Sequence, residues 1–148
     1  MPGKVFQNDT GMLMHQPGLS SVGSYQMSAI PFATSSLTVP VNSAAPLQIQ
    51  FPYVTKFVAV VNENTGTNIA MRVGFSQLGV SGSGTNFFLL DNGESYTGEW
   101  RVEDIFLISN STSQTSASVI AGLTPIPRGI PALGAASGNN WSGSSGVG

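Results

Sequence analysis

Residues 87–110, FFLLDNGESYTGEWRVEDIFLISN, constrain the fold more than any other stretch of this chain. A short apolar run, FFLL, leads into DNGE, a turn cluster in which Gly93 takes a positive φ without steric cost. Beyond the turn the residues alternate. Tyr96, Trp100 and Val102 share one side with Gly98 between them, and Thr97, Glu99, Arg101 and Glu103 share the other. A two-residue period belongs to a strand. Residues 105–108, IFLI, are apolar on both sides, as in a strand covered on both faces. The pattern changes at Glu103 and Asp104, where a bulge would explain the change. The stretch reads as a β-hairpin. It specifies a sheet and no chemistry.

The rest of the middle of the chain repeats this texture. Leu37, Val39 and Val41 alternate with Thr38 and Pro40, the proline pointing to a sheet edge or to an incoming extended segment. Leu47, Ile49 and Phe51 alternate with Gln48 and Gln50, and Pro52 ends the run. Residues 57–61, FVAVV, are apolar on both faces and read as a central strand, followed by a polar loop at 62–68. Ile69, Met71, Val73 and Phe75 alternate with Ala70, Arg72, Gly74 and Ser76, the cleanest half-buried pattern in the chain. A flexible loop, GVSGSG at 79–84, precedes the apolar run that starts at Phe87. Ala117, Val119, Ala121 and Leu123 alternate with Ser116, Ser118, Ile120 and Gly122 as a last strand. Seven or eight short strands, with turn signals every ~8–12 residues, are the pattern of an all-β sandwich or barrel. No window carries a helical period over ten residues.

The two ends differ from the middle. Residues 1–35 are rich in Ser, Gly, Gln and Met, yet hold Met12, Leu13, Met14, Met27, Ile30 and Phe32. That is too apolar for a solvated leader and too irregular for a strand or helix. An arm packed onto another surface accounts for it, since Met adapts to irregular grooves, and the alternative is a disordered leader. From Thr124 the chain turns to TPIPRGIPALG, extended by its prolines, and then to a Gly/Ser-rich tail that carries Trp141. The expected organisation is an extended arm at 1–35, a β domain at 36–123 and a Pro/Gly/Ser-rich tail at 124–148.

Charge narrows the function. Charged residues make up 8% of the chain, against a usual ~25%. A free soluble surface normally carries more. Here it is built of Ser, Thr, Asn, Gln and Gly, or is covered by partners. The cations Lys4, Lys56, Arg72, Arg101 and Arg128 are scattered, with no run that would follow a phosphate backbone or an anionic membrane, so no nucleic acid or membrane partner is expected. The absence of cysteine removes disulfides, thiolate metal sites and a cysteine nucleophile. The N-terminal residues lack the ~7–15-residue apolar run of a secretion signal, which points to synthesis in a cytoplasm.

A search for catalytic groups finds little. The single histidine, His15, has no Cys or second His to complete a zinc site. Asp91 and Glu94 flank a turn, where capping explains them, although an ion bound there with Asn92 stays open. Glu99 and Glu103 alternate outward around Arg101, as in a solvent-exposed ion pair. A glycosidase pair of Asp91 with Glu103 or Asp104 would need both carboxylates across one cleft. The GVSGSG loop lacks the second glycine of a nucleophile elbow and the lysine of a phosphate loop. Three glycosylation sequons, at Asn8, Asn110 and Asn140, are expected by chance in so Asn/Ser/Thr-rich a chain. Tyr96 and Trp100 share a face and read either as core or as a platform on which a sugar ring stacks.

The segment FFLLDNGESYTGEWRVEDIFLIS, with its LLDNGES turn between apolar strands, a Met/Ser-rich arm and a Pro/Gly-rich tail, resembles the small capsid decoration, or cement, proteins of tailed bacteriophages. That resemblance implies a β-sandwich, often trimeric, seated where capsomers meet and clamping the shell with its arms. The resulting expectation is an all-β chain, an antiparallel β-sandwich of jelly-roll-like form with an extended N-terminal arm and C-terminal tail. Its role would be non-enzymatic and free of cofactors: a virion structural protein, made in a host cytoplasm, that binds the major capsid protein or other virion proteins as a homo-oligomer, with a trimer favoured. Met12, Leu13, Met14, Ile126, Arg128, Ile130 and Trp141 are the expected partner contacts. The alternatives are a carbohydrate- or host-receptor-binding module of a spike or fibre, and a small capsid subunit.

Overall fold

The structure, a computed structural model, describes residues 5–7, 13–15 and 28–128. Two short strands, β1 (Val5–Gln7) and β2 (Leu13–His15), pair antiparallel as a sheet of their own. The following elements are β3 (Ile30–Val39), β4 (Leu47–Gln50), β5 (Tyr53–Asn62), β6 (Met71–Gly74), the single-turn helix α1 (Gln77–Val80), β7 (Phe87–Leu90), β8 (Ser95–Gly98), β9 (Asp104–Ser109) and β10 (Thr115–Pro127). They form two four-stranded antiparallel sheets, in the orders β3-β10-β5-β8 and β4-β9-β6-β7. The pairing is nested. β3 pairs with β10, β4 with β9, β5 with β8 and β6 with β7, so the first strand meets the last and the middle two meet each other.

Alternation decides which face of each strand goes inward. Val39, Val58, Val60, Ala117, Val119, Ala121 and Leu123 from the first sheet share one core with Ile49, Met71, Val73, Leu90, Ile105 and Leu107 from the second. The two sheets therefore bury their facing surfaces against each other, the two-layer solution that half-apolar sheets require. β5 is central, as its doubly apolar run implies, and β3 lies at the edge that Pro40 suggested. β9 is buried at every position. One face, Ile105 and Leu107, enters the main core, and Phe106 and Ile108 pack with Val80 and Phe87 on the other side of the sheet. The cover on that outer side is α1, whose last two residues, Gly79 and Val80, fall in the stretch expected to be a flexible loop. Ser76 caps it by accepting from the Gly79 N–H at 2.9 Å. Arg72 ties it down, with its guanidinium donating to the Val80 and Gly82 carbonyls at 3.1 and 3.3 Å and lying 4.5 Å from the Phe87 ring centre.

The largest correction concerns residues 87–98, which are not a hairpin. The turn forms as expected: Gly93 has φ 74°, and the Glu94 N–H donates to the Asp91 carbonyl at 3.0 Å. Yet β7 pairs with β6 in the second sheet, and β8 pairs with β5 in the first. The turn is instead held by the end of β5. Asn62 donates its N–H to the Glu94 carbonyl at 3.0 Å and accepts from the Gly93 N–H at 2.9 Å. Nor does Glu103-Asp104 form a bulge in a continuous strand. β8 stops at Gly98, residues 99–103 cross from one sheet to the other, and β9 starts at Asp104. At the margins of the domain, β3 takes in Ile30 to Ser35, and β10 runs on through Thr124 to Pro127. β10 has neighbours on both sides as far as Leu123, but beyond it pairs only with β5, at Tyr53, which suits an end where Pro125 and Pro127 have no N–H to donate.

Candidate interaction surfaces

Two surfaces stand out, and each follows from the strand order. The first is the outer face of the β3-β10-β5-β8 sheet. Where inward residues alternate with outward ones, the register aligns Pro31, Gly122 and Phe57 in one cross-strand row. Ala33, Ile120, Ala59 and Thr97 form the next, and Ser118, Val61 and Ser95 a third. None of these positions is charged. Ile120, at the centre, is 51% exposed. Glu63 stands at the margin, where it accepts from the Ser118 hydroxyl and the Ser36 N–H. The absence of charge over several rows of a solvent-facing sheet is unusual, because such a face is normally polar.

The second surface lies at the open side of the two layers, where the edge strands β7 and β8 belong to different sheets. Phe88, Leu89, Leu90, Glu94, Ser95, Tyr96 and Trp100 line a depression of about 570 Å³ there. Trp100 belongs to the crossing segment, and Thr55 on β5 anchors it. The Thr55 hydroxyl donates to the Trp100 carbonyl at 2.6 Å and accepts from the Val102 N–H at 3.1 Å. The indole folds back over Gly98, where a Cβ would stand 2.1 Å from it. Phe75 meets it edge-on, at 4.9 Å between centres and 78° between planes. Tyr96 lies nearly parallel to it, at 5.7 Å and 15°. Phe88 leans against both rings, at 5.3 Å from Tyr96 and 5.9 Å from Trp100. Of the two readings of this pair, core does not fit Tyr96, which is 51% exposed. Trp100 is half-buried and packs against the core. Only the long-range pairing shows this, because it puts β8 at a sheet edge where an inward-pointing side chain has little above it.

The acidic residues disperse. Asp91 and Glu94 hold their own turn: Glu94 accepts from the Asp91 N–H at 2.8 Å, and Asp91 accepts from the Asn68 amide at 3.2 Å. Glu103, expected on a solvent face with Glu99, is buried instead where the crossing segment joins β9, whereas Glu99 stays exposed. Asp104 is fully buried and forms an ion pair with Arg128 at 3.1 Å. Leu90 and Ser109 are both opposite Met71, so Asp91 and Asp104 stand at opposite ends of β9. At ~3.4 Å per residue that is about 17 Å, beyond the ~9.5 Å at which two carboxylates share a glycosidic bond. No group of three or more His, Cys, Asp or Glu gathers among the described residues.

Of the expected partner contacts, Met12, Ile130 and Trp141 lie outside the described residues. Leu13 and Met14 fall on β2, opposite Gln7 and Phe6. Ile126 is fully buried within the chain's own layers, so it anchors the start of the tail to this domain and not to a neighbour. Arg128 likewise turns inward. Besides Asp104, its guanidinium donates to the carbonyls of Phe51 at 2.6 Å and Glu103 at 2.8 Å. Comparison of the chain with protein-family models found no match, and comparison with curated proteins found none.

Proposed function

We propose that the chain is a non-enzymatic virion structural protein, built on a jelly roll, that binds and stabilises a viral capsid shell as a decoration or cement protein. The observation that carries this reading is the run of three uncharged cross-strand rows on the outer face of the β3-β10-β5-β8 sheet, centred on Ile120. A face of that kind is suited to being covered, and a shell offers a large area to cover it. The nested pairing supports the architectural part. Rolling one long antiparallel ribbon into two sheets produces this order, and jelly rolls recur in viral capsid and lectin domains. The low charge of the chain and the resemblance of its LLDNGES segment agree with it. In this reading Met12, Leu13, Met14, Ile130 and Trp141 reach neighbouring subunits, whereas Ile126 and Arg128 fasten the root of the tail. Several weak contacts from one body and two arms add through effective concentration.

The test is light scattering on the full chain, followed by sedimentation with expanded tailed-phage shells stripped of their own decoration protein. A trimer or larger species that pellets with shells is expected. Ile120→Lys, on the solvent side of β10, should retain the fold and lose the pelleting. A monomer that stays in the supernatant overturns the reading.

A further inference from the structure

Shell binding leaves the aromatic depression between β7 and β8 without a role. We propose that this depression binds the ring face of a neutral saccharide, whether or not the chain binds a shell. Tyr96 is stacked on Trp100, within 15° of parallel and 5.7 Å between centres, and as the half-exposed ring of the pair it is the one a ligand can reach. The C–H face of a pyranose is weakly positive and matches the negative face of such rings. Its hydroxyls need polar partners at the edge, and among the lining residues are Glu94, whose carboxylate also accepts from the Asp91 N–H, and Tyr96 with its hydroxyl. About 570 Å³ lies within the ~300–1,000 Å³ usual for small-ligand sites.

Charge selects the class of ligand. Glu94 is the charged side chain of the lining, and no cation is among the lining residues. A phosphate, sulfate or uronate would meet repulsion with nothing to offset it. A quaternary ammonium would be drawn by Glu94, but it needs aromatic walls closing around it, and a near-parallel pair leaves it open. The stack is also held in advance. Gly98 admits the indole, Phe75 and Phe88 brace it, and Thr55 pins its backbone, so little ordering remains to be done on binding.

The experiment uses the full chain carrying Trp141→Phe, which leaves Trp100 as the sole indole. It is titrated with neutral hexasaccharides of glucose, galactose, mannose and N-acetylglucosamine, and separately with choline, while indole emission is followed. A saturable change with at least one saccharide is expected. Tyr96→Ala, checked for folding by circular dichroism, should weaken it about tenfold or more, the scale of one well-packed aromatic contact. A response to choline alone overturns the proposal, as does a response unchanged by Tyr96→Ala or none to any saccharide at millimolar concentration. So does an emission change that depends only on protein concentration, which would make the aromatic stack a contact between copies.

Discussion

Trp100 lies so close to Gly98 that a Cβ on the glycine would stand 2.1 Å from the indole Cε2. The two residues are two apart in sequence, yet it is the fold that presses them together. Gly98 ends β8, the chain leaves for the other sheet, and Thr55 holds the Trp100 carbonyl over β5. Gly98→Ala would push the ring out of its place between Phe75 and Phe88. We expect a loss of about 1–3 kcal/mol, as for overpacked cores. Denaturant unfolding reads the stability, and near-ultraviolet circular dichroism reads the displaced ring.

Arg128 closes the other end of the same crossing. Its removal deprives a fully buried Asp104 of its ion pair, and the Phe51 and Glu103 carbonyls of a shared donor. Breaking a buried pair costs about 3–5 kcal/mol, and Arg128→Ala should fall near the lower end because a third of the arginine side chain reaches solvent. Arg128→Lys keeps the charge but lacks the planar fork that serves three acceptors, so it should recover only part of the loss. Thermal unfolding of the three proteins side by side decides this.

Asn62 is a junction of comparable weight. Its amide donates to the Ile69 and Leu90 carbonyls, both at 2.9 Å, and its oxygen accepts from the Thr115 hydroxyl at 2.8 Å. Asn62→Ala leaves these groups unpaired inside the protein, at about 1–3 kcal/mol for each one that water cannot reach. Asn62→Asp keeps the acceptor and loses the donors, and it also puts a charge beside two carbonyls. It should be destabilised at neutral pH as well, by urea titration of both variants against the parent.

Ser36 sits at φ 56° in the irregular step where β3 slips against β10, a conformation that non-glycine residues seldom take. Its N–H, which faces Glu63, would survive a change of side chain. Ser36→Gly should therefore stabilise the chain by up to about 1 kcal/mol, from relief of left-handed strain less the added chain entropy. A melting temperature lower than the parent's would show that the Ser36 side chain contributes more than the strain it causes.

What the residues alone determined were the strands themselves. The alternation at Leu47 and Ile49, at Met71 and Val73 and from Ala117 to Leu123 told inside from outside, because strand side chains alternate with a period of two wherever one face is buried. The doubly apolar runs at 57–61 and 105–108 likewise announced a central strand and one covered on both faces. Which strands pair was not legible, because a two-residue period names no partner. The turn at 91–94 looked like a hairpin and proved to be a passage between sheets, since β5 and β6 offered the flanking strands longer-range neighbours. Burial of Glu103, exposure of Tyr96 and the inward turn of Arg128 all follow from that choice. So does the aromatic cluster, in which Phe88 of β7 meets Tyr96 of β8 because the edges of two different sheets come together. Local pattern sets a side chain's direction along its own strand, and the tertiary structure decides what it then faces.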